Sequence, residues 1–558
     1  MENKTIARTL RLLSQLMELH QENPFKIKSV ANAAFKIDKL PYSLTDKSIS
    51  ELESIDGLGK SIASKVFELI TSGSIKELND LLSLTPSGIV EMMQIKGLGP
   101  KKLLIIWKEL GIDSVGELYY ACNENRLVEA KGFGFKTQEE IKKNIEFSIA
   151  SNGRFLYARV ENFAENLLEF LKNELNTPLC YLTGQFRRKC EVIDTIDFLV
   201  ASALPANPEA ILEKSGITFL EISNQTMLCR SESGINIHIY FCAEEDLGAE
   251  LIIRTGNEKH ATDIMALVNS INIKGKTEKE IYELAGLSFI EPELREGNNE
   301  IELAKTNSLP ELISYEDLKG SLHNHSTWSD GIHSLEEIAL FCKNELNLEY
   351  LGICDHSKSA FYANGLNELR VSAQHHEIDV LNQKLFPFRI LKGIESDILY
   401  DGSLDYSDEV LASFDFVVAS VHSILNMNEE KATERLIKAI ENPFTTILGH
   451  PTGRLLLSRS GYPVNHKKVI DACAANNVVI EINANPLRLD LDWRWHQYAL
   501  SKGVMLSINP DAHRKEGFHD MKYGTFIARK GGLRRSDCLN ALNLGQILEV
   551  FEKKRKGN

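Results

Sequence analysis

From residue 350 onward the chain repeats one pattern. A short continuous apolar run ends in a polar, ionisable residue and is followed by helical spacing: YLGI at 350–353, ILKGI at 390–394, FVVAS at 416–420, TTIL at 445–448 and LSIN at 506–509. Continuous apolar runs of this length predict strands buried on both faces, and their alternation with helices predicts a parallel α/β layout. The first 150 residues differ. The opening MENKTIARTLRLLSQL has the spacing of an amphipathic helix, and three later stretches place an apolar residue before Gly-x-Gly and a helical pattern after it. Between these regions, residues 184–200 (GQFRRKCEVIDTIDFLV) predict a basic turn leading into a strand. Residues 305–315 are short, polar and proline-containing, and predict a linker.

The length of 558 residues exceeds one core and implies several structural units. No run of eighteen apolar residues occurs, and the N-terminus lacks a signal-peptide pattern, so a cytoplasmic protein without membrane contact is expected. Nine cysteines stand singly with no CxxC pair, as in a protein with reduced thiols. The net charge of −15 argues against a protein that simply coats nucleic acid. Residues 1–150 are roughly balanced in charge, and of 15 histidines all but His20, His238 and His260 follow residue 320. Two chemistries therefore share the chain.

The glycine turns are IDGLGKSIASKVFELI (55–70), IKGLGPKKLLIIWKELGI (95–112) and the looser VEAKGFGFKTQEEIKKNI (128–145). Glycines permit the hairpin, the next helix presents free N–H groups to a phosphate, and lysines add charge. No G-K-[ST] ending and no preceding strand occur, which excludes P-loop and Rossmann readings. The turns resemble the helix–hairpin–helix motif, which implies sequence-independent DNA contacts at Gly57, Gly59, Lys60, Gly97, Gly99, Lys101, Lys102, Gly132 and Gly134. The segment Ile6–Gly73 further resembles the N-terminal lyase-type domain of family X DNA polymerases. Lys65 matches the Schiff-base lysine there; a plain phosphate contact is the alternative.

YLTGQFRRKCEVIDTIDFLVAS resembles the palm signature of the same family, a Gly-Ser turn and two arginines before a strand carrying Asp-x-Asp. Aligned on Arg187-Arg188, the two aspartate positions hold Thr195 and Asp197, Gly-Ser becomes Gly184-Gln185, and Asp194 falls on the opposite strand face. The third aspartate position is His238, the next turn survives as Thr255-Gly256-Asn257, and residues 281–304 resemble the small thumb. With two of three carboxylates replaced, Mg²⁺ at the palm should be weakly held. The expectation is a vestigial nucleotide site, with Arg187 and Arg188 either touching phosphate or forming ion pairs.

The strand-end residues of the last region are His323, His325, Asp330, His356, Glu395, His422, His450, Asp511 and His513. Mixed imidazole and carboxylate suits Mn²⁺, Zn²⁺ or Fe²⁺, and clustered metals suit phosphate-ester hydrolysis. The set resembles the PHP (polymerase and histidinol phosphatase) domain. That resemblance implies two or three metals: one held by His323, His325, Glu395 and Asp511, a second by Glu395, His422 and His450, a third by Asp330, His356 and His513. Arg454 could clamp a phosphate or form a structural salt bridge, and Pro510 restricts the backbone before Asp511. His333, His375, His376, His466, His496 and His519 match no ligand position.

Residues 5–550 as a whole resemble bacterial family X DNA polymerases with a C-terminal PHP domain. The implied fold is multidomain: an all-α helix–hairpin–helix region, a nucleotidyltransferase-like α/β palm with a small thumb, and a distorted (β/α) barrel. The expected boundaries are 1–85 (lyase-like), 86–150 (helix–hairpin–helix fingers), 151–260 (palm), 261–305 (thumb), 306–317 (linker) and 318–558 (PHP domain). The expected function is a metal-dependent DNA-repair phosphoesterase, a 3′–5′ exonuclease or 3′-end or abasic-site processor. Gapped, nicked or 3′-ended DNA is its partner, and the polymerase half binds DNA. The alternatives are an active polymerase with exonuclease, a small-molecule phosphatase, or a DNA-binding scaffold.

Overall fold

The N-terminal apolar stripe folds as a helix over Asn3–Leu19, with Ile6, Leu10, Leu13 and Met17 wholly buried. The helix Pro24–Asp38 packs against it and starts at Asn23, whose side chain accepts the Phe25 N–H, with proline in the first turn. This computed structural model describes residues 1–128, 130–150, 153–212 and 215–555. The chain divides into two units, Met1–Glu146 and Phe147–Asn558.

The first unit is helical, and its three glycine turns share one backbone. Gly57, Gly97 and Gly132 have φ of 86°, 91° and 88°. In each turn the next amide closes onto a carbonyl three residues back: Leu58 on Ile55 (3.0 Å), Leu98 on Ile95 (3.2 Å) and Phe133 on Ala130 (3.1 Å). Helices begin directly after Gly59, Gly99 and Gly134, at Lys60–Ser72, Pro100–Leu104 and Phe135–Ala150. The third copy, looser in sequence, is as regular as the others because the left-handed φ is supplied by glycine and not by the flanking residues.

In the second unit, β1 (Phe155–Leu156) pairs with β3 (Val192–Ile193). β2 (Cys180–Leu182), β4 (Thr195–Ala201), β5 (Ile217–Ser223), β6 (Thr226–Ser231) and β7 (Asn236–Cys242) form a sheet ordered β2-β4-β7-β6-β5. Only β4 and β7 are parallel, in a register that sets Asp197 beside His238. A core around Phe198, Val200, Ile237 and Ile239 underlies this sheet, and a smaller separate one holds Ile252, Ile264, Ile281 and Tyr282.

The apolar runs become β8 (Gly320–Ser321), β9 (Tyr350–Ile353), β10 (Arg389–Asp397), β11 (Phe416–Ser420), β12 (Ile447–Leu448), β13 (Val479–Asn483) and β14 (Leu506–Asn509). All neighbours are parallel, in chain order, giving a barrel-like seven-stranded sheet. A bridge between Asn324 and Ala512 brings the segments after β8 and β14 together. β9, β11, β13 and β14 are buried at every position, which explains why they read as unbroken apolar runs.

The barrel is fastened to the palm and thumb by the helix Met521–Lys530. Tyr523 and Phe526 pack on the palm core. Lys522 pairs with Glu161 at 2.8 Å, Arg529 with Glu293 at 2.7 Å, and Lys530 with Glu296. The 306–317 segment also docks: Ile313 is fully buried and its N–H donates to Leu533 O. Among the described residues no helix is long and apolar enough to cross a membrane.

Candidate metal centre

Parallel strands deliver their last residues to one rim, which is why donors far apart in sequence meet. His323 and His325 follow β8, His356 follows β9, Glu395 lies near the end of β10, and His422, His450, Asp511 and His513 follow β11, β12 and β14. Glu395 is the hub. Its carboxylate lies 3.2 Å from His323 Nε2, 3.1 Å from His356 Nδ1, 3.1 Å from His422 Nε2 and 3.0 Å from His450 Nε2. Asp511 lies 3.1 Å from His325 Nε2, and Asp330 3.4 Å from His513 Nε2 and 3.5 Å from His356 Nε2.

Three groupings bring donor atoms within 4.8 Å of one another and could hold a metal ion: His325, Asp330, His356 and His513; His323, His325 and Asp511; His356, Glu395 and His422. Eight of the nine expected donors fall in these groupings, with His325 and His356 each shared by two, and the ninth, His450, stands outside them with Nε2 3.0 Å from Glu395. Several of their buried atoms make no hydrogen bond: His323 Nε2, His325 Nδ1, both ring nitrogens of His356, Asp330 Oδ2, Glu395 Oε2 and His450 Nδ1. A buried polar atom without a partner costs roughly 1–3 kcal/mol. So many such atoms among three donor groupings fit divalent cations, and donors of imidazole and carboxylate without thiolate favour Mn²⁺, Zn²⁺ or Fe²⁺.

Outer partners fix which nitrogen faces inward. His323 Nδ1 pairs with Glu481 at 2.8 Å and His422 Nδ1 with Asp397 at 2.6 Å, so each turns Nε2 to the centre. Glu481 also accepts the His450 N–H at 2.8 Å. Burial opposes charge on His323, but Glu481, Glu395 and Asp511 outweigh it and hold the imidazole well above its usual range. Burial likewise opposes charge on His422, and Glu395 and Asp397 raise it well above. His325 goes the other way: burial, then His513 and His356, push it down to about 3. Burial disfavours the Glu395 carboxylate, yet His422, His323 and His356 hold it well below the usual range. Without metal, protons on imidazoles balance the carboxylates, and cations would replace them. Asp511 has φ 53°, a left-handed conformation directly after Pro510.

Glu481 and Asp397 escaped the sequence reading. Each is an acidic residue in or ending an apolar strand, the same signal that marked Glu395. Arg454 faces structure: its guanidinium pairs with Asp492 at 2.5 Å and donates to the carbonyls of Arg488 and Leu489. Of the unmatched histidines, His466 stacks on Trp495, His375 lies against Phe414, and buried His496 bonds to Leu491 O.

Comparison with known proteins follows the same division. A helix–hairpin–helix domain model matches residues 1–75, and a SAM-like helix–hairpin–helix tandem model matches 89–146. "DNA polymerase/3'-5' exonuclease PolX" of Bacillus subtilis (strain 168) is 35% identical over 577 residues, covering 99% of this chain and 100% of that protein. This chain belongs to the PolX family. A "Probable phosphatase" of Thermoanaerobacter sp. (strain X514) is 29% identical over 190 residues, 32% of this chain and 75% of its own. Another of that name, from Acetivibrio thermocellus, is 30% identical over 167 residues, 29% of this chain and 63% of its own.

In this PolX family member the palm carboxylate Asp197 faces His238, whose Nδ1 lies 3.0 Å from Asp197 Oδ1. Thr195 shares the Asp197 face, since Ile196 between them is buried in the core. Asp194 is half exposed and held outside the strand by Arg154 at 3.2 Å and Gln185 Nε2 at 3.0 Å. Gly184 has φ 59°, and a Cβ there would collide with Asp197 Oδ2. The arginines are engaged in half-buried ion pairs. Arg187 grips Glu278 at 2.6 Å and Thr255 Oγ1 at 2.8 Å, while Arg188 pairs with Glu296 at 2.9 Å and donates to Thr255 O. Asn257 caps the next helix, and Gly256 lies against His260.

In the first unit, Lys65 lies 2.7 Å from Glu77, which Lys26 also contacts. Around Gly59, Gly97, Gly99, Gly132 and Gly134 no atom of the described residues beyond the turn itself would meet an added Cβ within 4 Å, whereas Gly57 is covered by Lys36. Lys60 and Lys101 are exposed, and Lys102 Nζ donates to Gly97 O at 3.2 Å.

Proposed function

We propose that this protein is a metal-dependent phosphoesterase that shortens DNA from 3′ ends, with its hairpin turns and palm holding the DNA. The observation that carries the reading is the convergence of His323, His356, His422 and His450 on Glu395, with Asp330, Asp511, His325 and His513 beside them and several donor atoms lacking hydrogen bonds. The printed names of the relatives, an exonuclease over the whole length and phosphatases over the barrel, support it.

His323, His325, Asp330, His356, Glu395, His422, His450, Asp511 and His513 would hold two or three divalent ions, Mn²⁺, Zn²⁺ or Fe²⁺. Bound there, the ions would acidify a water and neutralise phosphoryl oxygens. The chain supplies alignment: Glu481 and Asp397 hold His323 and His422 in the tautomer that offers Nε2. The strand ends keep the donors on one rim, and the exposed turns at Gly97 and Gly132 leave room for a phosphate backbone. Gapped, nicked or abasic DNA fits such backbone contacts. Lys65, with its amine on Glu77, serves better as a charged contact than as a free nucleophile.

We further propose that template-directed synthesis is absent. Asp197 pairs with a histidine where a second carboxylate would be needed, and Arg187 and Arg188 are spent on Glu278 and Glu296. The test is a 5′-labelled primer–template with Mn²⁺, with and without nucleotides. Shortening in both, abolished by His325→Ala, is the expected result. Extension with nucleotides would establish an active polymerase, and a metal-loaded protein that leaves the primer intact would falsify the phosphoesterase reading.

A further inference from the structure

Asn364, Ile424 and Leu489 stand on loops of the barrel rim with φ of 54°, 53° and 49°. Asparagine tolerates this left-handed backbone, but leucine and, above all, β-branched isoleucine avoid it. Such strain persists only where the surroundings over-determine it. In all three places the carbonyl of the left-handed residue accepts from an arginine: Arg370 for Asn364 at 2.6 Å, Arg435 for Ile424 at 3.3 Å, and Arg454 for Leu489.

Each arginine also reaches a second loop. Arg435, on the helix Glu429–Ile440 and 1% exposed, donates to Ile398 O and Leu399 O after β10 and to Ser423 O after β11. Ser423 follows His422, and Ile398 follows Asp397, the carboxylate that holds His422 Nδ1. Arg370, in the first turn of the helix Glu368–Leu385, joins Asn364 O and Gly365 O after β9 to Trp328 O after β8, two residues before Asp330. The Leu366 N–H beside it donates to His356 O at 2.8 Å. Arg454, paired with Asp492, repeats the device between the loops after β12 and β13.

The hydrogen-bond partners of Arg435 are four carbonyls and the Met427 sulfur, none of them an acid. A buried cation without a carboxylate, one residue from a metal donor, is unfavourable as a charge. What it supplies is geometry: a planar fork of five N–H groups that no other side chain offers.

We infer that Arg435 and Arg370 are positioning residues of the metal centre, each locking two adjacent rim loops in strained backbone and so placing a separate part of the donor set. Arg435 sets His422 against Glu395, and Arg370 sets Asp330 against His356. These two pairs belong to different donor groupings. The inference rests on the metal-centre reading above and adds to it that the ions are separable: losing one guanidinium loosens one ion and leaves the rest.

The experiment titrates the chelator-stripped full chain with Zn²⁺ by calorimetry and counts retained ions by metal analysis. Arg435→Ala should weaken one ion about ten-fold. Added to His422→Ala it should weaken binding no further, while added to Asp330→Ala it should show its full effect. Arg370→Ala should behave in the opposite way. Ile424→Gly, which suits the left-handed backbone, should recover part of the Arg435→Ala loss, as general destabilisation would not. Wild-type affinity in both arginine variants overturns the inference, as does an equal loss at every ion or a loss that Ile424→Gly leaves untouched. Should Arg435→Ala fail to fold, Arg370→Ala at its half-buried site decides by the same pairing with Asp330→Ala. A wild type that takes up no divalent ion overturns the metal-centre reading, and this inference with it.

Discussion

Replacing Glu481 by Gln should weaken metal binding about 10–100-fold while the barrel stays folded. The Glu481 carboxylate is fully buried on β13. Its Oε1 accepts from His323 Nδ1 at 2.8 Å and Asn509 Nδ2 at 3.0 Å, and its Oε2 accepts the His450 N–H at 2.8 Å. Glutamine has the same shape but one oxygen. Either orientation sets its amide N–H₂ against an N–H: that of His450, or those of His323 and Asn509. One lost bond to a charged acceptor costs roughly 1.5–3 kcal/mol, or about ten- to a hundred-fold in affinity. An opposing effect exists. Glu481 helps keep His323 protonated in the metal-free protein, so removing the charge eases loss of the competing proton. The same charge attracts a dication twice as strongly as a proton, so the net effect remains a loss. Calorimetric titration of chelator-stripped protein with Mn²⁺ or Zn²⁺, from about pH 6 to 8, reads both effects. Affinity should fall, and its pH dependence should become shallower because His323 yields its proton earlier. Wild-type affinity with a wild-type pH profile would reduce Glu481 to a packing residue and refute the reasoning.

Three further outcomes are expected. Gly97→Val with Gly99→Val should raise the DNA Kd about ten-fold or more for unrelated sequences and flatten its salt dependence, read by fluorescence anisotropy, because the contacts are to phosphate. Thr195→Asp with His238→Asp should create Mg²⁺ affinity at the palm and some primer extension, with either single change giving much less, since the carboxylates act as a unit. Burial opposes charge on Glu296, but Lys530 and Arg188 hold its pKa below the usual range. A depressed pKa contributes stability that is present above the unfolded value, about 4.3, and is lost as pH falls through the folded value. Calorimetric unfolding should therefore show acid lability below about pH 4 that is smaller in Glu296→Gln, a variant already weakened at neutral pH.

What the sequence disclosed follows from how each element is buried. Parallel strands covered on both faces are pure apolar runs, so His356, His422, His450 and Asp511 stand out where the runs stop. The hairpins were legible because only glycine readily supplies a φ near 90°, even in the third copy. Glu481 carried the same mark, an acid inside VVIEIN, but nothing local says which imidazole it meets; His323 lies 158 residues away. The fate of Arg188 was hidden for the same reason, with Glu296 108 residues distant. Arg454 was open between phosphate and salt bridge because Asp492 reaches it only through the loop after β13.

The palm shows which residues the fold itself requires. Thr195 is a good strand former on a half-buried face, and His238 answers the Asp197 charge from the adjacent strand. Asp197 Oδ1 is buried without a hydrogen bond, and the His238 ring at 3.0 Å is the group set against it. The arginines are different. Arg188, Glu296 and Lys530 form a chain from palm through thumb to barrel, and Lys530 is only 3% exposed. Removing Glu296 would strand a buried ammonium, at about 3–5 kcal/mol. Arg187 and Arg295 likewise share Glu278, with Arg295 fully buried. Gly184 holds a left-handed φ of 59° that other residues adopt only at a cost. The retained signature of Gly184, Arg187, Arg188 and Thr255 is therefore accounted for by the stability of the joint between palm, thumb and barrel. Thr195 and His238 stand outside that joint, with His238 set against Asp197 and Tyr240.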